Sequence, residues 1–295
     1  VKLGVFTVLF GEKSLEEALD YIKKSGLEAV EIGTGNYPGN SHCNPAELLA
    51  DESKINQLKE AVEKRGLEIS GLSCHGNPLH PDKNIRKEHQ KVQRKTILLA
   101  EKLGVERIIT FSGCPGGSPE DKMPNWVTCP WPDDYSQILK WQWEDEVIPY
   151  WKEEAAFAKE HGIKICLEMH PGFVVYNPET LLKLQEAVGE TIGANLDPSH
   201  LFWQGIDPIM AIRKLGKSIY YVHAKDTKID PYNNSINGVL DTKPYSDEIN
   251  RSWIFRTVGY GHSASFWRDF VSNLRLVGYD YVLSIEHEDS LLSSN

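Results

Sequence analysis

Eight short β-rich runs recur along this chain, at residues 3–8, 29–33, 68–74, 107–112, 164–170, 192–197, 219–225 and 281–288, with helical patterns between them. Strands alternating with helices mean βαβ units and a parallel sheet. Eight such units in 295 residues fit a (β/α)8 TIM barrel better than an open doubly wound sheet. No GxGxxG follows a strand into a helix, which weakens a dinucleotide-binding fold. Helix starts are legible. Ser14-Leu15-Glu16-Glu17 is a capping box whose helix stops at Gly26, and 53–66 repeats the design with Ile55, Leu58 and Val62 on one face. Asn177-Pro178 and Asp207-Pro208 place proline in a first turn, longer helical patterns run over 84–103 and 135–162, and 265–277 leads into the last strand. No composition break marks a second domain, so residues 1–295 read as a single one.

Composition narrows the function. The hydrophobic fraction of 40% is enough for a sizeable core. Acidic residues exceed basic ones, 42 − 32 = 10, and a net charge of −10 argues against a nucleic-acid partner. No apolar run reaches the roughly 18 residues of a membrane span. Val1 to Phe6 enters a strand-like pattern at once, so no secretory leader is expected. The five cysteines are odd in number and form no CxxC pair, so they read as free thiols in a reducing cytoplasm.

Two stretches break the rhythm, 113–134 after strand 4 and 228–262 after strand 7. Both follow the C-terminal end of a strand, the face where barrel enzymes place their sites. Loops this long are usually functional or disordered, and the Trp, Tyr and Cys content of these two argues for order. Strand parity then sorts the side chains. In the fifth run Ile165, Leu167 and Met169 oppose Cys166, Glu168 and His170; in the sixth Ile192, Ala194 and Leu196 oppose Gly193, Asn195 and Asp197. In the seventh Tyr220, Val222 and Ala224 oppose Tyr221, His223 and Lys225; in the eighth Leu283 and Ile285 oppose Ser284, Glu286 and Glu288. The apolar parity meets the helices, so Glu168, Asp197, His223 and Glu286 point into the barrel mouth. Three carboxylates cannot stay ionised in a confined space without positive charge. Interior salt bridges are one answer. A divalent cation is the more economical one, and three oxygen donors with one imidazole suit Mn²⁺, Mg²⁺, Fe²⁺ or Co²⁺ before a thiolate-type zinc site.

The segments Cys166-Leu167-Glu168-Met169-His170, Asn195-Leu196-Asp197-Pro198-Ser199-His200, Val222-His223-Ala224-Lys225-Asp226 and Ser284-Ile285-Glu286-His287 resemble the xylose isomerase-like TIM-barrel superfamily. More narrowly, the chain resembles its sugar phosphate isomerase/epimerase group, which includes ketose 3-epimerases and inosose isomerases. The resemblance implies one divalent ion, Mn²⁺ favoured with Mg²⁺, Co²⁺, Fe²⁺ or Zn²⁺ allowed, on Glu168, Asp197, His223 and Glu286, with His200 contacting substrate. The ketose 3-epimerases also carry a second Glu six residues after the first ligand and an Arg six after the ligand His. Here those positions are Val174 and Ile229, and Arg256 and His262 are the candidates to supply the missing contacts. Endonuclease IV shares the superfamily, but strand 4 ends here in Thr110-Phe111-Ser112-Gly113 without its histidine.

Further candidates sit around the mouth. His75, with His80 in the same loop, follows strand 3, His42 follows strand 2, and His170 and His200 add acid groups near neutrality. Lys225 either contacts a substrate oxygen or pairs with Asp226; Glu31 has inward parity and a barrel lysine as its simplest partner; His287 has outward parity and reads as structural. Phe10, Trp131 and Trp203 are candidates for an apolar wall against a sugar ring. Segments 126–131 and 253–262 are expected to close over the mouth, with Arg256 reaching a substrate oxygen. The chemistry expected is proton abstraction next to a carbonyl through a metal-held enediolate, with Glu168 and Glu286 as acid/base pair. That makes a sugar isomerase or epimerase; the alternative from the same site is β-elimination, a lyase acting on a 3-keto-glycoside or an inosose. The expected partner is a small-molecule carbohydrate, with no nucleic acid and no membrane. Outer barrel helices often carry dimer contacts, so a homo-oligomer is compatible with the sequence.

Overall fold

The structure, a computed structural model, describes residues 1–292. Seven parallel strands come first: β1 (Lys2–Phe6), β2 (Ala29–Gly33), β3 (Glu68–Ser73), β4 (Arg107–Phe111), β5 (Lys164–Glu168), β6 (Ile192–Leu196) and β7 (Ile219–Ala224). After β7 the chain makes an excursion through β8 (Asp226–Ile229), a helix at Pro231–Asn237 and β9 (Trp253–Arg256) before β10 (Val282–Ile285). β10 inserts between β7 and β1 and closes an eight-stranded parallel barrel, the (β/α)8 architecture expected. β8 and β9 pair antiparallel as a separate ribbon. These two strands were not anticipated: at four residues each they are too short to carry a period.

Local chemistry sets the helix starts. Ser14 and Glu17 form the reciprocal cap of Leu15–Lys24, and Asn177 and Asp207 cap helices that begin with proline. Two expectations shift. The first strand ends at Phe6, and Thr7–Phe10 turns into a 3₁₀ helix. The helical stretch expected over 135–162 is Asp133–Trp141 and Ile148–Glu160 joined by a π-helical segment, Gln142–Val147.

The alternation of side chains separates two cores. Ile165, Leu167 and Val222 join the large cluster that includes Trp151 and Leu184 from the surrounding helices. Ile109, Cys166 and Tyr221, of the opposite parity, form their own cluster inside the ring. Tyr221 is fully buried, its hydroxyl 2.7 Å from Ser70 Oγ. At Gly71 a Cβ would lie 2.5 Å from Ile109 Cδ1, so any larger residue would force the Ile109 side chain to shift within this plug. The plug fills the lower barrel and leaves the upper layer, at the strands' C-terminal ends, as the floor of the site. All five cysteines are free; Cys43, Cys74, Cys114 and Cys166 are buried and their thiols pushed up to about 12 by that burial. No helix among the described residues is long and apolar enough to cross a membrane.

Candidate metal centre

Four strand ends bring their polar side chains to one point. Glu168 ends β5, Asp197 follows β6, His223 lies in β7, and Glu286 follows β10. One ligand atom from each of these four lies within 4.8 Å of all the others. His223 is central. Its Nδ1 is 2.8 Å from Glu286 Oε2 and 3.2 Å from Glu168 Oε2. Its Nε2 lies 3.0 Å from Glu31, on the far side of the ring. Donation of Nε2–H to Glu31 leaves the Nδ1 lone pair for a cation, the orientation by a carboxylate usual for ligating histidines. Ser284 Oγ donates to Glu31 at 2.6 Å, and Ser73 also donates to it. Glu31 therefore serves a histidine and two hydroxyls, not the lysine expected for it.

The electrostatics are those of an over-acidic, closed pocket. Burial opposes ionisation of Glu168, but His200, His223 and His75 around it hold its carboxyl well below the usual range. Burial likewise opposes Glu286, and Lys225 and His223 hold it low. Asp197 has less compensation, and burial pushes it up to about 6. Burial disfavours the His223 imidazolium, yet Glu31 and Glu286 keep it well above the ordinary histidine range, so a cation on Nδ1 would take the place of the proton there. Asp197 is also the cap of the short helix Pro198–Phe202: Oδ1 accepts from Ser199 N at 2.8 Å, while the buried Oδ2 has no hydrogen-bond partner. Asn195 Oδ1 is buried and unpartnered in the same place, and Glu286 Oε2 and His200 Nε2, also without a hydrogen bond, face His223 Nδ1 and Glu168 Oε1 respectively as charged neighbours. Orphaned buried acceptors gathered on one point are what a bound cation resolves. The three-carboxylate, one-imidazole donor set fits a divalent ion.

The remaining sequence candidates divide. His75 Nε2 is 3.1 Å from Glu168 Oε2. His200 Nε2 lies 3.2 Å from Glu168 Oε1, and the His170 ring packs 4.0 Å from that of His200. Burial and the neighbouring His200 push His170 down to about 3, so it is a neutral imidazole. Lys225 pairs with Glu286 at 3.2 Å and Glu288 at 2.7 Å, not with Asp226. Arg256 and His262 are not brought to the site. Arg256 Nε donates to Asp289 at 3.0 Å, a partner invisible to sequence because it lies 33 residues on. His262 Nδ1 is 2.8 Å from Asp226, and its ring stacks on Phe202. His42 Nε2 lies 2.9 Å from the Lys13 carbonyl and His80 Nδ1 accepts from Asp82 N, both local loop contacts.

Above the floor opens a cavity of about 870 Å³. Its aromatic wall differs from the one expected. Phe10 packs on Tyr21, Trp203 stacks on Trp253, and Trp131 is 73% exposed; none lines the cavity. Phe6, Phe111, Phe173, Tyr245 and Phe255 line it instead, and His287, expected to be structural, also reaches it. The expected lid is half present. Ile254 and Phe255 of the β7 excursion face the cavity, whereas Trp126 packs on Tyr176 at a separate cavity. Sequence reasoning missed Glu31, Asn195 and Glu288 as site residues. All three have inward parity, and Asn195 Nδ2 donates to Glu168 at 3.0 Å.

Residues 19–293 match the family model described as xylose isomerase-like TIM barrel. The chain is 42% identical over 296 residues to the uncharacterized protein YfiH of Bacillus subtilis (strain 168), covering 99% of this chain and 94% of that one. It is 24% identical over 248 residues to an inosose dehydratase of Clostridium tetani (strain Massachusetts / E88), covering 78% and 72%. Among solved structures, a D-tagatose 3-epimerase-like protein superposes with a TM-score of 0.65 at 22% identity, covering 98% of this chain and 91% of the other. The IolI protein, solved with a zinc atom, superposes at 0.66 with 20% identity, covering 99% and 90%. These structural likenesses speak to the fold.

Proposed function

The chain belongs to the xylose isomerase-like TIM-barrel family, and from that premise we propose that it is a divalent-metal-dependent sugar isomerase or epimerase that moves a proton at a carbon next to a carbonyl. The observation that carries this is the gathering of Glu168, Asp197, His223 and Glu286 within 4.8 Å, with buried acceptor atoms left unpartnered. These four residues would hold the ion, Mn²⁺ first among the candidates for this donor set. When bound, the ion supplies positive charge that polarises a substrate carbonyl and stabilises negative charge developing on its oxygen.

The chain's own residues do the rest. Glu168 is kept anionic by the imidazoles around it, which suits it to accept a proton. His75, 3.1 Å from that carboxylate, can take the proton on or steady it. Glu286, held anionic by Lys225 and His223, is the second proton-transfer group. Aromatic walls restrict water around the exchanging proton. The substrate is a small-molecule carbohydrate. The buried free thiols suit a reducing compartment, which supports cytoplasmic residence.

A second reading, β-elimination, is favoured by one feature. His75 and His200 both lie against Glu168, a second and third proton-carrying group beyond what epimerisation requires. The similarity to an inosose dehydratase points the same way. Incubating the manganese-loaded protein in D₂O with keto sugars, 3-keto-glycosides and inososes separates the two. Deuterium next to a carbonyl in an intact, isomerised sugar is the expected result, with Glu168→Gln and Glu286→Gln each abolishing turnover. Loss of water or of an aglycone supports the lyase instead. No exchange with any of these ketones contradicts both.

A further inference from the structure

We infer that the carbohydrate taken by this cavity is unphosphorylated and carries a bulky apolar substituent, an inference that rests on the proton-transfer function proposed above. Barrel enzymes that bind phosphate commonly do so in the loops after the seventh and eighth barrel strands. Here the eighth, β10, is followed by Glu286-His287-Glu288-Asp289, three carboxylates in four residues that line the cavity. After β7 comes Asp226, whose carboxylate already accepts from the backbone N–H groups of Gly259, Gly261 and His262. Those amides, which would otherwise suit an anion, are occupied. Among the described residues Lys225 alone of the lysines and arginines lines the cavity. Its ammonium is held 3.2 Å from Glu286 and 2.7 Å from Glu288. Even with a divalent ion on Glu168, Asp197, His223 and Glu286, a phosphate dianion above it would face Glu288 and Asp289 and find no lysine or arginine free to receive it.

The upper cavity makes the second half of the case. Its volume of about 870 Å³ lies near the top of the range for drug-sized ligands, roughly 300–1,000 Å³. A single sugar ring occupies only the polar floor. On one side Tyr37 lies 6.2 Å from Phe111, which stacks on Phe173 at 4.3 Å. From the β7 excursion, Tyr245 stacks on Phe255 at 5.8 Å. Tyr37 and Tyr245 are each 58% exposed, so large apolar rings are left to solvent at the rim. Glu288 and Asp289, which also line the cavity, are engaged with Lys225 and with Arg256 and Thr257 respectively. Hydroxyls of a second sugar would find few free partners here, while an apolar or aromatic aglycone would bury its faces against the rings.

Calorimetric titration of the manganese-loaded protein with phenyl β-glucoside, methyl β-glucoside, cellobiose, glucose and glucose 6-phosphate tests this without any turnover. The expected result is phenyl glucoside binding at least about tenfold more tightly than methyl glucoside, cellobiose gaining nothing over methyl glucoside, and the phosphate ester binding more weakly than glucose. Tyr37→Ala and Tyr245→Ala, each first shown to keep the wild-type circular-dichroism spectrum, should each lower the phenyl-to-methyl ratio several-fold. A ratio near one, a gain with cellobiose equal to that with phenyl, tightening by phosphate, or no binding at all would overturn the inference. If the phenyl preference holds while the D₂O experiment shows no exchange, the proton-transfer reading fails and the substrate inference stands.

Discussion

Glu31 shows how far a single position can be understood from sequence. Its inward parity was legible, but parity assigns a face and not a partner, and its partner His223 lies 192 residues away across the closed ring. The same limit applies to Arg256, whose partner Asp289 is set by the path of the C-terminal segment. Glu168, Asp197, His223 and Glu286 escaped it because all four report to one point, so parity alone assembles them. Glu31→Gln should keep the fold and weaken Mn²⁺ binding by about tenfold, the scale of losing an orienting carboxylate; competition with a metallochromic chelator reads this, and unchanged affinity would mean that His223 is held without Glu31. Asp289 offers a pH-dependent counterpart. Burial opposes its ionisation, but Thr257, Arg256 and Leu291 donate to it and bring it down to about 2. Because the folded carboxyl lies below its unfolded value near 4, its stabilisation is present above pH ~4 and lost as pH falls through ~2. Asp289→Asn should cost about 2 kcal/mol at pH 7 in urea unfolding, with the gap to wild type closing as the pH falls below ~4. A gap constant with pH would show that the loss is steric.

Elements repeat the lesson at larger scale. The capped helices and long strands were legible because each carries its own signal, Ser14 with Glu17 or Asn177 with Pro178. The excursion after β7 was visible only as a break in rhythm, since β8 and β9 are held by tertiary contacts. Asp226 is the knot: it gathers Gly259, Gly261, His262 and Trp267, and so ties the end of the excursion to the start of β8. At Gly261 a Cβ would clash with the Thr227 carbonyl oxygen and the Asp226 carboxylate. Gly261→Ala should therefore displace this turn and lower thermal stability by several degrees, while the barrel keeps its circular-dichroism spectrum. An unchanged melting temperature would mean that the turn is not fastened to Asp226. The aromatic wall was misassigned for a related reason. Loop rings such as Trp131 and Trp203 looked available in sequence, but their placement depends on loop paths that have no period to read.

For the whole molecule, the barrel and its mouth follow from the strand–helix repeat, because closure of eight parallel strands leaves few other arrangements for them. The floor of that mouth gathers more carboxylate than His223 and Lys225 can offset, which costs stability in the metal-free protein. Adding Mn²⁺ should therefore raise the melting temperature in proportion to the logarithm of its concentration, and a chelator should reverse the gain; a melting temperature indifferent to both would argue that the charges are balanced within the protein. The most direct measurement is the metal content, by elemental analysis after dialysis, of wild type grown with manganese and of Asp197→Ala. One divalent ion per chain in wild type, with a marked loss in the variant, is the result predicted by a centre of Glu168, Asp197, His223 and Glu286. No metal in wild type, or full occupancy in Asp197→Ala, would contradict it.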